Sequence, residues 1–102
     1  METFRYRIRG GSLRHEITSV ELAAELRHEG RLGVGVLRDS EGVRCLRGFL
    51  WDYREPATPC RVFSDDSSER IRTLGLDHVA NDNFVGTPEE RCAYFAALLE
   101  AL

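Results

Sequence analysis

The residues of this chain best suited to chemistry form a short run of histidine, amide and carboxylate side chains. His78, Asn81, Asp82 and Asn83 fall close together, and Asp77 precedes them. A histidine beside a carboxylate can act as a general base, and clustered side-chain oxygens can bind a hard cation or a small polar ligand. This run is therefore the candidate ligand-binding or catalytic segment.

The same run also has a structural interpretation, which we favour. Asn and Asp side chains commonly hydrogen-bond nearby backbone and shape the entry into a helix. A calcium loop of the EF-hand type starting at Asn81 would place Cys92 at its twelfth position, where a glutamate is needed. His15 and His28 are distant in sequence, and no serine lies in a Gly-x-Ser-x-Gly motif. We therefore predict no catalytic set, no metal site and no cofactor.

Alternating arginines mark the amino-terminal segment. Arg5, Arg7 and Arg9 fall on one face of a predicted strand, at about 7 Å intervals, with aromatic and aliphatic residues on the other face. This spacing suits successive phosphates or the acidic side chains of a partner, and it is equally typical of a charged, solvated edge strand. The net charge of the whole chain is −3, which argues against nonspecific nucleic-acid binding.

The end of the chain predicts a capped helix with a broad apolar surface. Thr87, Pro88 and Glu90 form a capping box with proline at the first helical position. Apolar residues then cover an arc of about 200°, although a surface helix needs little more than about 100°. They are Cys92, Tyr94, Phe95, Leu98, Leu99 and Leu102. This width predicts that the helix is covered on two sides, by its own core and by either the amino-terminal sheet or a partner.

Capping signals and glycines divide the first part of the chain into elements. Gly10-Gly11 predicts a tight turn between the first strand and a returning strand at residues 13–17. A second capping box at Thr18 opens a helix that runs through Glu29 and ends at Gly30.

The middle of the chain completes a predicted α+β fold. Residues 32–38 and the segment from Val43 flank a glycine-bearing loop, which predicts a second hairpin. Residues 45–53 fit strand and helix periodicity alike, and their aromatic content slightly favours a strand at the start. A short helix ending at Gly75 follows. We expect a small antiparallel sheet of two hairpins packed with two to three helices, the last one long, in a single domain of residues 1–102.

Two short motifs stand in the second half of the chain. Cys45-Leu-Arg-Gly48 is followed by Leu50, and Asn81-Asp82 is followed by Thr87, which opens the last helix. In this pattern, over a little more than half its length, the chain resembles a group of small, functionally uncharacterised actinobacterial and phage proteins, which have Trp where position 80 is Ala. The resemblance implies a helix beginning near Cys45 and a phage or mobile-element setting, and it implies no chemistry.

Composition limits the class of protein. With 102 residues, of which 42% are hydrophobic, the chain is long enough for one core and too short for two. Cys45, Cys60 and Cys92 are odd in number and widely spaced, which predicts reduced, mostly buried thiols. No apolar run reaches the about 18 residues that a membrane helix needs. We expect a cytoplasmic protein that does not enter a membrane.

The missing catalytic pattern and the wide last helix together predict a non-catalytic interaction protein. The setting suggested by the resemblance would make it an accessory or inhibitor protein of a phage or mobile element, binding a host protein or a second copy of itself. The expected partner-binding residues are Tyr94, Leu98, Leu102, Trp51, Tyr53, Arg5, Arg7 and Arg9. The alternative is a small-ligand or nucleotide-binding protein, or an enzyme, that uses His78, Asn81, Asp82 and Asn83.

Overall fold

The computed structural model describes residues 1–8, 14–50, 61–63 and 67–102. The predicted turn at Gly10-Gly11, together with Arg9, Trp51, Tyr53 and Cys60, lies outside these ranges. The elements are β1 (Thr3–Ile8), β2 (Arg14–Thr18), α1 (Ser19–Glu29), α2 (Leu46–Leu50), β3 (Arg61–Phe63), α3 (Ser67–Thr73), α4 (His78–Asn83) and α5 (Pro88–Glu100). The α+β class and the long carboxy-terminal helix are confirmed.

The three described strands form one antiparallel sheet in the order β2-β1-β3. The register places Phe4 opposite Ile17 and Arg5 opposite Glu16, as expected for a strand with alternating apolar and charged residues. Phe4 and Ile17 are buried in the core, whereas Arg5 and Glu16 are exposed. At this end of the sheet, the face with Phe4 and Ile17 therefore packs in the core, and the face with Arg5 and Glu16 is open to solvent.

Helices α1 and α5 form the centre of the core, and we call them the helix pair. The Thr18 and Thr87 side chains accept hydrogen bonds from the backbone at the third residue of α1 and α5, and both capping boxes are complete. Gly30 ends α1 with φ of 87°, a left-handed conformation that glycine adopts without steric cost. The predicted starts of both helices and the end of α1 are confirmed.

The inner faces of the helix pair are apolar. Leu22, Leu26, Phe95 and Leu99 have no exposed surface. Polar contacts also link the two helices: the Cys92 thiol donates to the Leu26 carbonyl at 3.1 Å. Burying this much apolar surface is the main favourable contribution to folding in a domain of this size.

Two expectations about the middle of the chain are wrong. The predicted second hairpin reduces to an isolated antiparallel bridge between Arg38 and Arg44, because the chain bends at residues 34–37 instead of extending. Leu46–Leu50 is a helix rather than the start of a strand. Leu46, Phe49 and Leu50 are all buried in the core, so helical spacing rather than strand alternation describes their burial.

A further helix, α4, replaces the loop expected before the last helix. Asp77 caps it, because its side chain accepts a hydrogen bond from the backbone N–H of Ala80 at 3.0 Å. The amide and carboxylate run of Asn81, Asp82 and Asn83 is therefore helical, and it does not form the entry loop of α5 that its composition predicts.

Candidate functional site

Asn81 joins three separate segments of the chain. Its side chain has no exposed surface, and its Oδ1 accepts a hydrogen bond from the backbone N–H of Leu46 at 3.3 Å. Its Nδ2 donates to the Gly33 carbonyl at 3.0 Å and to Asp82 Oδ1 at 3.1 Å. Both amide hydrogens and the amide oxygen are therefore used inside the protein. Asn81 therefore connects these segments, and its buried side chain does not support the predicted ligand-binding role.

Arg91, at the start of α5, satisfies backbone carbonyls around the same point. It is only 7% exposed, and it donates to the carbonyls of Leu32 at 2.8 Å, Asn81 at 3.2 Å and Phe84 at 3.4 Å. Two of these carbonyls belong to the last turn and the C-cap of α4, where a cation is favourable. Among the described residues, this buried guanidinium is thus held by carbonyl dipoles rather than by a carboxylate.

Hydrogen bonds from several segments reach residues 33–37, which we call the apolar loop, and Asn81 supplies one of them. The N–H of Gly33 donates to the Arg44 carbonyl at 3.0 Å, and the N–H of Gly35 approaches Asp82 Oδ1 at 3.4 Å. Just before the loop, the N–H of Leu32 donates to the Pro88 carbonyl at 3.0 Å. The loop is irregular in conformation, yet its backbone forms hydrogen bonds at Gly33 and Gly35.

Helix α2 packs closely against the end of the apolar loop. An alanine Cβ at position 48 would lie 2.0 Å from the Leu37 carbonyl oxygen, so only glycine permits this contact. The Cys45 sulfur accepts a hydrogen bond from the Gly48 N–H at 3.4 Å, and Asn81 accepts the Leu46 N–H. Cys45 and Asn81 together cap the start of α2. The Cys-x-x-Gly motif and the Asn-Asp motif are therefore in contact, and both help to position the start of α2.

The apolar loop presents hydrophobic side chains to solvent. Val34, Val36 and Leu37 are exposed, and Val36 reaches 52%. Val79 on α4 is also half exposed, and it lies one turn before Asp82, whose carboxylate approaches the loop. The four exposed aliphatic side chains thus belong to a loop and a helix that the contact between Gly35 and Asp82 brings together. We call Val34, Val36, Leu37 and Val79 the aliphatic surface.

The predicted partner-binding residues of the last helix are divided by the fold. Tyr94 is 51% exposed, and its ring contacts Phe84 with centroids 5.0 Å apart. Val85, the residue after Phe84 in the sequence, is 95% exposed. Leu98 and Leu102 are only partly buried and pack against the core. The apolar arc is thus incompletely covered, most of all at Tyr94.

The predicted arginine surface is described in part. Arg5 is exposed and its guanidinium lies 3.9 Å from the carboxylate of Glu16 on β2. An ion pair this exposed contributes little stability. The backbone at position 7 lies opposite position 14 of β2.

The remaining candidate residues for chemistry are spread around the short helix α4. His78, Asp82 and Asn83 are all exposed, while Asn81 points into the core. Within the described residues, no group of three or more His, Cys, Asp or Glu side chains is arranged to hold a metal ion. Burial raises the pKa of the Cys92 thiol, which makes it a poor nucleophile near neutral pH.

No protein-family model, curated protein or solved structure matches the chain. In the part of the chain that the structure describes, every helix is too short or too polar to cross a lipid bilayer.

Sequence reasoning missed the aliphatic surface and the buried pair Asn81 and Arg91. The Gly-Val-Gly-Val-Leu segment fits a hairpin strand, whose alternate side chains would be buried. The irregular path that exposes them depends on bonds from residues nearly fifty positions away, such as Asn81 to Gly33. A cap signal at Asp77 was present in the sequence and would have located α4.

Proposed function

We propose that the protein is a non-catalytic interaction protein that binds another protein through the aliphatic surface. The observation that supports this best is the exposure of Val34, Val36 and Leu37 on a backbone that is hydrogen-bonded to its surroundings. Exposed aliphatic groups cost free energy in water, and a contiguous patch of them commonly marks a contact site.

The fixed backbone of the apolar loop favours binding. A segment that is ordered before it meets a partner loses less conformational entropy on association than a mobile one. Here the Gly33 carbonyl is bonded by Asn81, and the bridge between Arg38 and Arg44 closes the loop. The polar residues Asp82 and Asn83 are exposed on the same helix as Val79, as in the polar rim of an interface.

Tyr94 and Val85 extend this proposal to a second exposed patch. Tyrosine is one of the side-chain types most often found to anchor interfaces. The Tyr94 ring is held between contacts to Phe84 and Phe95, so it presents a fixed edge to solvent. Leu98 and Leu102, half covered by the core, would contribute the adjoining apolar area.

The resemblance to small actinobacterial and phage proteins supports the biological setting that we propose. In that setting the protein is an accessory or inhibitor protein of a phage or mobile element, and its partner is a host protein. A second copy of the chain is the competing partner, and it would give a homo-oligomer.

Site-specific photocrosslinking in cells tests the proposal. A photoreactive amino acid at position 36 should give a discrete protein adduct, because Val36 lies within the aliphatic surface. The matched control is position 20, since Val20 is 47% exposed on a different element, at the start of α1. An added Val34→Asp substitution should abolish the adduct at position 36, because a charge disfavours burial of the surface.

Sedimentation of the purified protein separates the two kinds of partner. A concentration-dependent dimer lost in Val34→Asp would assign the surface to self-association. A monomer at all concentrations with a single adduct in cells would support a host partner. Equal, diffuse crosslinking from positions 36 and 20, combined with a monomer in solution, would refute the proposed role.

A further inference from the structure

The apolar loop is only partly packed through its side chains. Val34, Val36 and Leu37 are 49%, 52% and 39% exposed, so none of them is a core residue that would fix the loop by complete burial. Leu32 just before the loop is fully buried and anchors its beginning. Hydrogen bonds to the backbone therefore contribute to the path of residues 33–37.

One of the hydrogen bonds to the apolar loop comes from Asn81, which also bonds two other segments of the chain. Its side chain reaches Gly33 in the loop and Leu46 at the start of α2, and its backbone carbonyl accepts from Arg91. Because Asn81 has no exposed surface, water does not compete for these bonds, and each is stronger than it would be at the surface. The two segments that Asn81 bridges meet again where Gly48 packs on the Leu37 carbonyl.

We propose that Asn81 is the positioning residue of the aliphatic surface. Its carboxamide holds the apolar loop and the start of α2 as one unit, and this unit keeps Val34, Val36 and Leu37 turned outward. The functional importance of this role rests on the proposed interaction function, whereas the structural role stands independently of any partner.

Hydrogen exchange of single amides, followed by NMR, tests the structural role. In Asn81→Ala the backbone N–H of Leu46 loses its acceptor and the Gly33 carbonyl loses its donor. We expect the amide of Leu46 to exchange roughly tenfold faster or more, relative to amides of the helix pair in the same variant. The Gly33 N–H keeps its acceptor, the Arg44 carbonyl, so its faster exchange would report that the loop itself has loosened. Asn83→Ala is the matched control on the same helix, since Asn83 is exposed, and it should change these two amides little.

Two results would overturn the proposal. One is an equal acceleration of amides in the apolar loop, α2 and the helix pair, which would make Asn81 a general stability residue. The other is unchanged protection of Gly33 and Leu46, which would show that core packing alone fixes the loop.

The unsubstituted protein provides a second measurement if Asn81→Ala does not fold. Exchange under low denaturant concentrations should show Gly33 and Leu46 opening together, in an event smaller than global unfolding. Opening only together with the helix pair would contradict the proposal. The two proposals can fail separately. If position 36 gives no specific adduct but the exchange results are as expected, the interaction function is refuted and the positioning role of Asn81 remains.

Discussion

The helix pair and the loop junction are stabilised by different interactions. We define the loop junction as residues 32–50 together with α4. In the helix pair, fully buried apolar side chains such as Leu26 and Phe95 meet in the core, and local capping boxes begin both helices. In the loop junction, backbone groups from several segments are bonded by the buried polar side chains of Asn81 and of Arg91, which reaches the junction from α5.

This difference shows which parts of the fold can be predicted from local sequence. A capping box joins residues three positions apart, so Thr18 and Thr87 can be recognised without knowledge of the fold. Asn81 and Gly33 are 48 positions apart, and no local rule connects them. The helix pair follows from nearby residues, whereas the loop junction exists only once the chain is folded.

The largest effect should come from truncating the centre of the helix pair. Phe95 has no exposed surface, so Phe95→Ala should lower the free energy of unfolding by about 3–5 kcal/mol through lost burial and a cavity. Urea denaturation followed by circular dichroism measures this change. Val20→Ala at an exposed position should change it by less than about 0.5 kcal/mol. Similar losses in the two variants would show that the helix pair is not the centre of stability.

A slightly smaller loss is expected at the closest contact of the loop junction. Gly48→Ala would drive a Cβ into the Leu37 carbonyl, and the strain should cost about 3 kcal/mol. The control Gly33→Ala places its Cβ 3.5 Å from Val43, an ordinary contact, and should be tolerated far better. Urea midpoints of the two variants check the prediction. Equal midpoints would mean that α2 shifts freely away from the loop.

Removing the buried guanidinium should weaken the loop junction more than the helix pair. Arg91→Met keeps much of the apolar stem but leaves the carbonyls of Leu32, Asn81 and Phe84 without this donor. Unsatisfied buried acceptors should cost about 2 kcal/mol. The measurement is thermal unfolding, with amide exchange near Leu32 as the local readout. A fully stable Arg91→Met would contradict our description of the junction as hydrogen-bonded.

A smaller effect is expected at the start of α5. Thr87→Ala removes the side-chain cap and should cost about 1 kcal/mol. Hydrogen bonds from the backbone and side chain of Thr87 hold the pKa of Glu90 below its ordinary value. The stabilisation from ionised Glu90 is therefore present above the ordinary pKa and is lost as the pH falls through the lowered one.

The titration of Glu90 separates the two contributions. In Thr87→Ala the backbone donor remains, so the pKa of Glu90 should rise only part of the way towards its ordinary value, as followed by NMR of the carboxyl carbon. A pKa identical to that of the unsubstituted protein would show that the hydroxyl does not stabilise the Glu90 carboxylate.

The smallest effect, and one of opposite sign, is expected at Ser19. Its hydroxyl oxygen is fully buried and has no hydrogen-bond partner among the described residues, although its N–H donates to the Glu2 carbonyl at 2.7 Å. Ser19→Ala removes an unsatisfied polar atom and should leave stability unchanged or raise it by up to about 1 kcal/mol. A melting temperature several degrees lower would reveal a hydroxyl contact that the structure does not contain.

The sequence analysis was right where residues act on near neighbours. It located β1 and the starts of α1 and α5. It also identified Gly30 and Gly75 as terminating glycines, and both have a positive φ, 74° at Gly75. It was wrong for α2, because five residues are too few for periodicity to separate helix from strand. It assigned Tyr94 to the partner surface, and this side chain is half exposed. It could not predict the aliphatic surface, because the conformation of the apolar loop involves a hydrogen bond from the distant Asn81.

The positions of two buried cysteines give each region its own chemical reporter. Cys45 lies at the start of α2, while Cys92 lies between α1 and α5. Both thiols are shielded, so a thiol reagent can modify each one only when its surroundings open. With Cys60 replaced, the rates of modification at the two sulfurs would time the opening of the loop junction and of the helix pair separately, within a single sample.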